Sequence, residues 1–538
     1  MTLRRVVGGG SVVLALALAA CTAPATSHDA VHRVQPGRLA TASPLAELLA
    51  ASTDLGPSQS RRVDTLVTLQ SQARPTALYR WAVPHHLAVQ WHAGNRWATV
   101  TGTAAAMSAG FGVSIHDYRS RSGTDFYATG QSVAVPGALR GSVGQVGRIL
   151  SYVPKLTSVG VNMRTDVPDG GLTAAQLLTV YNAKALANQG YTGKGKTIVF
   201  FEIDGFKQAD LDQFSRAVGL TSFRPTLDTD QPGAAGGETP MDLEVAHAIV
   251  PDAKLVVFDA RLKNARSIAD ASAQTAAMYQ AVDRKYPGAI WSLSLGLSCE
   301  SLFTPADLAP MQDGVKQALA HGTSSFVSSG DTGGLECKGG ADFGKPPTQA
   351  DVGLNAYSGL PAMTVVGGTA LSTDARGNWV SEQAWTEPAV QQGTSGGPSS
   401  KFPRPSWQQA TGISSLPDSK FRMTPDVAAD ADPATGVKIY VDGKPQQGGG
   451  TSQAAPIWAA FTVMLNQYLA ANGGHVLGDI NPLLYKAAAS TPGAFHDITL
   501  GGNAVDKAQA HFDYTTGLGS PNVAVLAGAL LKAEKGTS

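Results

Sequence analysis

Short apolar runs alternate with longer helical patterns along residues 172–538. The runs typical of buried strands cover residues 197–201, 255–258, 290–293 and 325–327. Patterns with helical periodicity cover residues 209–217, 265–282 and 310–320. This alternation predicts an α/β fold, in which a parallel sheet carries helices on both faces.

The residues before this region carry a second and smaller set of patterns. Residues 97–101 read as a strand, and helical patterns cover residues 104–107 and 142–150. We therefore interpret residues 61–151 as a small α/β domain. Residues 28–60 are rich in Ala, Ser, Thr and Pro without periodicity, which indicates a flexible tether.

The extreme N-terminus predicts export. Arg4 and Arg5 precede an apolar stretch over residues 12–20, which is too short for a dependable membrane span. Residues 1–27 therefore read as a secretory signal. Leu-Ala-Ala-Cys at residues 18–21 also matches the bacterial lipobox, in which a lipidated Cys21 would tether the chain to a membrane. An ordinary signal end is the alternative, so the expected location is extracellular, either free or anchored at the cell surface.

Composition excludes some classes of partner. Charged residues make up 15% of the chain, against roughly 25% in typical globular proteins, and the 41 basic residues equal the 41 acidic ones. No basic field invites nucleic acid. Few titrating groups also mean little self-repulsion in acid. A chain of 538 residues has room for two or three domains, and we expect it to be a monomer.

A glycine-rich turn late in the chain offers a nucleophile. Gly450, Thr451 and Ser452 precede an apolar helical stretch that contains Pro456. Glycine allows a tight turn, and a helix start stabilises negative charge, so the Ser452 hydroxyl is placed as a nucleophile would be. An ordinary turn before a helix is the alternative.

Three acidic residues are candidates to serve that hydroxyl. Glu238 and Asp242 are four residues apart on a largely apolar helix with Pro240 in its first turn, so both carboxyls share one face. An exposed cap at Glu238 and a solvated Asp242 are the alternative. Asp331 follows the strand-like residues 325–327 within Ser-Gly-Asp, at the edge where parallel sheets place their chemistry.

Together these segments resemble the sedolisins, or serine-carboxyl peptidases. The signature of that family is Glu-x-x-x-Asp on a helix, Ser-Gly-Asp after a strand and Gly-Thr-Ser-x-x-x-Pro near the end, and all three occur here in that order. The resemblance covers roughly residues 170–525. Further segments resemble the family at residues 172–177, 181–182, 193–198, 366–369, 402–405 and 425–428.

The resemblance implies a subtilisin-like sheet and a Ser-Glu-Asp triad. Ser452 would attack the peptide carbonyl, Glu238 would take and return the proton, and Asp242 would orient Glu238. Asp331 would stand at the oxyanion hole, where it must be protonated to donate a hydrogen bond. The expected activity is hydrolysis of peptide or protein substrates at acidic pH, by an endopeptidase or a tripeptidyl peptidase.

The resemblance also implies a precursor. Residues 61–151 would be a propeptide domain that acts as folding chaperone and inhibitor, residues 152–171 a linker cut on maturation, and residues 172–538 the peptidase domain. A permanent accessory domain is the alternative. The segment at residues 292–296 resembles the substrate-cleft strand of the family, although Leu295 stands where an aromatic residue is common.

One calcium ion is implied near the C-terminus. Asp497 and Asp513 would supply carboxylates, and Ile498, Gln509 and His511 would supply carbonyls. Gln509 and His511 replace the usual glycines, and a metal-free turn held by hydrogen bonds from the two aspartates is the alternative.

Three further residues complete the family comparison. Glu202 stands where some members place a carboxylate that hydrogen-bonds to the catalytic acid, with a surface acid at the strand end as the alternative. Cys299 and Cys337 follow adjacent landmark segments and are expected to form a disulfide, with two free thiols as the alternative.

Two other functions fit parts of the sequence. A surface binding protein with a silent peptidase fold is one, but the complete set of four site residues speaks against it. A glycoside hydrolase using Glu238 and Asp331 is the other, and it leaves Ser452 unexplained.

Overall fold

The computed structural model describes most of the chain after the N-terminal segments. Descriptions cover residues 44–153, 157–158, 171–337, 347–388, 391–409, 413 and 416–535. The predicted signal, Cys21 and most of the predicted linker lie outside these residues. Within them, no helix has the length and apolarity needed to cross a membrane.

The N-terminal α/β region contains two antiparallel sheets with the strand orders β3-β4-β2-β7 and β1-β5-β6. Its strands are β1 Thr53–Pro57, β2 Val63–Leu69, β3 Ala88–Gln90, β4 Trp97–Gly102, β5 His116–Arg119, β6 Asp125–Ala128 and β7 Val143–Val146. Its helices are α1 Pro44–Ala50, α2 Thr76–Ala82 and α3 Ala104–Phe111. Helix α3 begins after Thr103, whose hydroxyl accepts a hydrogen bond from the Ala106 amide.

The helical prediction over residues 142–150 is wrong. Residues 143–146 form β7, in which Val143 and Val146 pair with Leu69 and Val67 of β2. The apolar spacing suits a helix, but pairing with β2 buries the same valines, and β-branched side chains favour a strand. A Cβ on Gly147 would overlap the Asp307 carboxylate, so glycine permits close contact with the C-terminal region of the chain.

The region after residue 171 is built on an eight-stranded sheet. Its order is β10-β11-β9-β12-β14-β15-β16, and β21 also pairs with β15. All described pairs in it are parallel except β15 with β16. The sheet strands are β9 Thr197–Glu202, β10 Thr226–Leu227, β11 Lys254–Asp259, β12 Ile290–Leu293, β14 Ser324–Ser328, β15 Thr364–Thr373, β16 Trp379–Ala384 and β21 Val427–Asp430. The predicted parallel sheet is confirmed.

Shorter strands decorate this sheet. They are β8 Thr157–Ser158, β13 Leu295–Gly296, β17 Thr386–Glu387, β18 Gln392–Gly393, β19 Gly397–Pro403, β20 Phe421–Thr424, β22 Lys438–Val441, β23 Lys444–Gln447, β24 Phe495–His496 and β25 Ser520–Pro521. The helices are α4 Ala174–Val180, α5 Lys184–Asn188, α6 Gln208–Val218, α7 Glu238–Ile249, α8 Ile268–Lys285, α9 Pro305–Ala320, α10 Ser406–Gln409, α11 Thr451–Ala471, α12 Asn481–Ser490 and α13 Val523–Lys535.

Helices cover the sheet on both faces because its strands are apolar on both sides. Ile198 and Phe200 of β9 pack in a core that includes α7 and α11. Val199 and Phe201 alternate to the opposite face and pack in a core that includes α8 and α9. The sheet therefore holds α7 and α11 on one side, and their N-termini carry the candidate chemistry.

Candidate active site

Ser452 lies in the first turn of α11. Gly450 immediately before the helix has a φ of 79°, which glycine adopts without strain. Ser452 is fully buried, and its Oγ has no hydrogen-bond partner of standard geometry among the described residues. A buried hydroxyl without a partner is costly, and this one lies beside the carboxyl of Glu238.

Glu238 and Asp242 lie together on buried helix α7. Glu238 is the first residue of the helix and is 7% exposed, whereas Asp242 is fully buried. The alternative of an exposed cap and a solvated acid is therefore wrong. Burial and then the charge of Asp242 raise the pKa of Glu238 well above its usual range, while the nearby Ser452 hydroxyl lowers it.

Ser294 connects Asp242 to the nucleophile's backbone. Its Oγ is 2.6 Å from Asp242 Oδ2 and 3.1 Å from the carbonyl oxygen of Ser452. Burial raises the pKa of Asp242 well above its usual range, whereas hydrogen bonds from Ser294 and Glu202 lower it. Glu202 and Asp242 can form a hydrogen bond with each other only when one of the two carboxyls is protonated.

Glu202 and Asp204 bring two more carboxyls to the end of strand β9. Glu202 is fully buried, so its interpretation as a surface acid is wrong. Burial and the charges of Asp242, Asp204 and Glu238 raise the pKa of Glu202 well above its usual range. Asp204 accepts hydrogen bonds from the first two amides of α7.

Asp331 lies beyond the end of β14, beside the nucleophile turn. Its Oδ1 accepts hydrogen bonds from the Thr451 amide at 2.8 Å and the Thr451 hydroxyl at 2.6 Å. Its Oδ2 is buried without a partner. Burial raises the pKa of Asp331 to about 7, so below that pH Oδ2 carries a proton that it can donate.

The structure therefore places all four predicted catalytic residues within one buried network. The pKa of Glu238 is affected by Asp242, Ser452, Asp204 and Asp331, so these groups lie near it. The sequence analysis missed Asp204, Thr239 and Thr451. One feature of the sequence could have indicated Asp204 as a site residue: it is an acid two residues past Glu202, at the same edge of the sheet.

The strand after β12 is already paired in the full-length chain. Leu295 and Gly296 of β13 pair in antiparallel register with Ser158 and Thr157 of β8. These two residues belong to the predicted linker. A sheet edge that accepts one extended segment in this way suits a peptide substrate, because main-chain hydrogen bonds do not depend on the side chains.

The predicted calcium residues lie close together, and hydrogen bonds join them. The amide of His511 donates to both carboxylate oxygens of Asp497, and the amide of Gln509 donates to Asp513 Oδ2. Asp513 also accepts hydrogen bonds from the backbones and hydroxyls of Thr515 and Thr516. The amides of Gln509 and His511 thus contact the carboxylates, whereas calcium would be bound by the carbonyl oxygens of these residues.

The loop therefore has the contacts of the metal-free alternative, a turn held by hydrogen bonds to the two aspartates. Ile498 is buried beside Asp497. Among the described residues, no cluster of three or more His, Cys, Asp or Glu side chains is arranged to hold a metal.

The cysteine prediction is confirmed. Cys299 and Cys337 form a disulfide across 38 residues of sequence. Cys299 follows the β13 strand, and Cys337 follows the Asp331 turn by six residues, so the disulfide joins two segments that border the site.

Comparisons with known proteins agree with this geometry. A family model described as the pro-kumamolisin activation domain matches residues 66–151. Kumamolisin from Bacillus sp. (strain MN-32) is 33% identical over 352 residues, which cover 62% of this chain but only 59% of kumamolisin. Sedolisin from Pseudomonas sp. (strain 101) is 30% identical over 526 residues, which cover 93% of this chain and 86% of sedolisin.

A solved structure gives the same result for the fold. Pseudomonas sedolisin, a serine-carboxyl proteinase complexed with two molecules of pseudo-iodotyrostatin, has a TM-score of 0.55 and 28% identity. The match covers 68% of this chain and 98% of that chain. Because the full-length sedolisin relative aligns over most of both sequences, this chain belongs to the sedolisin family of serine-carboxyl peptidases and carries an N-terminal activation domain.

Proposed function

We propose that this chain is an exported peptidase that hydrolyses peptide bonds at acidic pH through a triad of Ser452, Glu238 and Asp242. The observation that carries the proposal is the buried, unpartnered Ser452 hydroxyl beside two carboxyls of raised pKa, with Asp331 poised on the other side. The nearby Ser452 hydroxyl lowers the pKa of Glu238, which supports this carboxyl, and not an imidazole, as the base.

In the proposed reaction, Ser452 Oγ attacks the carbonyl carbon as Glu238 takes the hydroxyl proton. Protonated Asp331 donates its Oδ2 hydrogen to the oxyanion that forms. Glu238 then gives the proton to the leaving amine as the C–N bond breaks, which leaves an acyl-enzyme. Water attacks this ester with Glu238 again as base, and the carboxylic acid product leaves as Ser452 regains its proton.

Asp242 sets the charge that Glu238 can carry. A negative charge on Asp242 would oppose ionisation of Glu238, and a proton held between Asp242 and Glu202 would remove that repulsion. The hydrogen bond from Ser294 fixes the position of Asp242. The cluster of carboxyls thus carries few negative charges. The charge that remains is available at Glu238, beside the Ser452 hydroxyl.

Acidic operation follows from the two kinds of carboxyl. Glu238 must be ionised to act as a base, so activity rises with pH through its titration. Asp331 must be protonated to act as a donor, so activity is lost as pH rises through about 7. Since the groups interact, the rising limb belongs to the cluster as a whole.

The chain is made as a zymogen. The activation domain matches residues 66–151, and the linker strand β8 pairs beside the site in the full-length chain. We propose that residues 152–171 contain the maturation cleavage and that residues 172–538 are the mature peptidase. Arg148 supports docking of the domain, because its amide donates to Asp307 at the start of α9.

Export and anchoring are proposed from the sequence alone. The signal over residues 1–27 would deliver the precursor outside the cytoplasm, and lipidation of Cys21 would hold it at the membrane surface. The protein would act as a monomer. Substituting Cys21→Ser should release the protein into the medium if the lipid is present. Unchanged distribution between membrane and medium would contradict the anchor.

A peptide library tests the function. The protein is incubated with mixed peptides between about pH 3 and pH 8, a range that spans the carboxyl titrations, and products are identified by mass spectrometry. Hydrolysis should be confined to the acidic side and absent in Ser452→Ala and Glu238→Gln. The silent binding protein predicts no cleavage in any variant, and the product ends distinguish an endopeptidase from a tripeptidyl peptidase.

A further inference from the structure

We propose that Asp204 is a positioning residue for this reaction, which rests on the function proposed above. Asp204 follows β9 and reaches the N-terminus of α7, the helix that carries Glu238 and Asp242. It holds the start of that helix in place and adds a negative charge that sets the proton affinity of Glu238.

The hydrogen bonds of Asp204 complete the start of α7. Its Oδ2 accepts from the Glu238 amide at 3.2 Å, and its Oδ1 accepts from the Thr239 amide at 3.1 Å. The next residue, Pro240, has no N–H group. Gly237 precedes the helix and has no side chain to cap it. A distant residue therefore supplies the cap that the helix lacks.

The surrounding backbone leaves room for this carboxylate. A Cβ on Gly236 would overlap Asp204 Oδ2. A side chain at residue 236 would therefore displace the carboxylate from the Glu238 amide. Since Glu238 is the proposed base, the same displacement would move its backbone relative to Ser452.

Asp204 is also linked to Glu202 and Asp242, through the hydroxyl of Thr239. The Thr239 hydroxyl lies 2.6 Å from Asp204 Oδ1 and 3.1 Å from Glu202 Oε2. One hydroxyl has one proton, so it cannot donate to both carboxylates at once. A change in protonation at Asp204 therefore alters the hydrogen bond available to Glu202, which in turn contacts Asp242.

The charge of Asp204 raises the pKa of three neighbouring carboxyls. It opposes ionisation of Glu202 at the end of its own strand and of Glu238 and Asp242 on α7, while Asp331 from the nucleophile side also acts on Glu238. Burial raises the pKa of Asp204 above its usual range, whereas the hydrogen bonds from Thr239 and the Glu238 amide and the positive end of the α7 dipole favour its charged form. Removing this charge therefore makes Glu238 easier to ionise.

Two substitutions separate the cap from the charge. Asp204→Asn keeps an acceptor oxygen but has no charge, and Asp204→Ala removes both. Ser267→Ala is the matched control, because Ser267 caps α8 by accepting from the Asp270 amide on the opposite face of the sheet. Each variant is processed in acid, and kcat, KM and the pH profile are measured with a peptide substrate.

The proposal predicts three results. The acidic limb of the Asp204→Asn profile moves to lower pH, because ionised Glu238 persists further into acid. Asp204→Ala lowers kcat by about tenfold or more with KM nearly unchanged, since a misplaced base impairs reaction more than binding. Ser267→Ala loses thermal stability but keeps the kcat and pH profile of the unsubstituted enzyme. A superimposable Asp204→Asn profile, or equal kcat in the two alanine variants, would overturn the proposal.

A second measurement does not depend on turnover. In full-length Ser452→Ala protein labelled with carboxyl-13C glutamate, the Glu238 resonance is identified by its loss in Glu238→Gln and titrated by NMR. Adding Asp204→Asn should lower its titration midpoint, and an unchanged midpoint would refute the role of the charge. Peptidase activity retained by Ser452→Ala would refute the proposed function. The titration would still test the role of Asp204, because it does not depend on turnover.

Discussion

The proton on Asp331 decides whether this side chain can stabilise an oxyanion. Oδ1 is held by Thr451, so the proton belongs on the unpartnered Oδ2. Burial raises the pKa of this carboxyl to about 7, which keeps the donor through the acidic range.

Asp331→Asn should retain more activity than Asp331→Ala. Asparagine can accept from Thr451 and donate from its amide without titrating, whereas alanine removes a donor worth roughly 10²–10³-fold in kcat. In Asp331→Asn, the loss of activity near pH 7 should also move to higher pH. Equal kcat in both variants, or an unmoved alkaline limb, would contradict the role assigned to Asp331. The measurement is kcat against pH.

Ser294 offers a second test at this scale, with a control on the same strand segment. Ser294→Ala removes the hydrogen bond to Asp242 Oδ2, so Asp242 holds its proton more tightly and loses its orientation. We expect kcat to fall by about tenfold, the equivalent of one hydrogen bond to a charged group. Ser292→Ala should leave kcat unchanged, since Ser292 Oγ is buried without a partner. Equal losses in both variants would point to packing instead.

The sequence was sufficient to predict Ser452, Glu238, Asp242 and Asp331, because each lies in a short pattern tied to its chemistry. Asp204 was missed for a physical reason. It caps a helix that begins 34 residues later, so nothing local to either segment reveals the contact. The burial of Glu202 was likewise left open, because the end of a strand can face either solvent or a site.

At the scale of elements, strand positions were more predictable than helix starts. The strand predicted over residues 290–293 is β12. The predicted strand at β9 is one residue short at one end, and those at β11 and β14 are one residue short at each end. Helix α9 instead begins five residues before Pro310, at Pro305. There Thr304 and Asp307 form a capping box, and Pro310 lies inside the helix. The apolar spacing around β7 likewise predicted a helix, but glycines and pairing with β2 favour a strand there.

The C-terminal loop provides a prediction about a whole element. Its carboxylates already accept hydrogen bonds from the amides of Gln509 and His511, so removal of divalent cations should not loosen it. The thermal unfolding midpoint of the Ser452→Ala protein should be the same in EDTA and in millimolar calcium. A midpoint several degrees higher in calcium would show that the loop rearranges to bind the ion. Magnesium at equal ionic strength is the control.

At the scale of the molecule, sparse surface charge combines with buried carboxyls of raised pKa. Burial raises the pKa of Glu244 to about 9, and of Asp479 and Asp506 to about 6. A carboxyl whose pKa is raised in the folded state binds its proton more tightly when folded. Its contribution to stability is therefore full below the unfolded pKa and is lost as pH rises through the folded pKa.

The protein should accordingly be more stable in mild acid than in mild alkali. The thermal unfolding midpoint of the Ser452→Ala protein should fall as pH rises from about 6 to about 9, the window given by these carboxyls. His247 works in the other direction, because burial lowers its pKa to about 4 and unfolding lets it charge. A midpoint that rises across this window would contradict the account. Glu244→Gln should flatten its upper part.

Autoprocessing of the purified full-length chain tests the central claim most directly. Intact mass is followed after acidification to about pH 4, near the reference pKa of carboxyl groups. The account predicts cleavage within residues 152–171 in the unsubstituted chain and an intact Ser452→Ala chain under the same conditions. Equal cleavage of Ser452→Ala, or processing that is as fast at pH 8 as at pH 4, would contradict it.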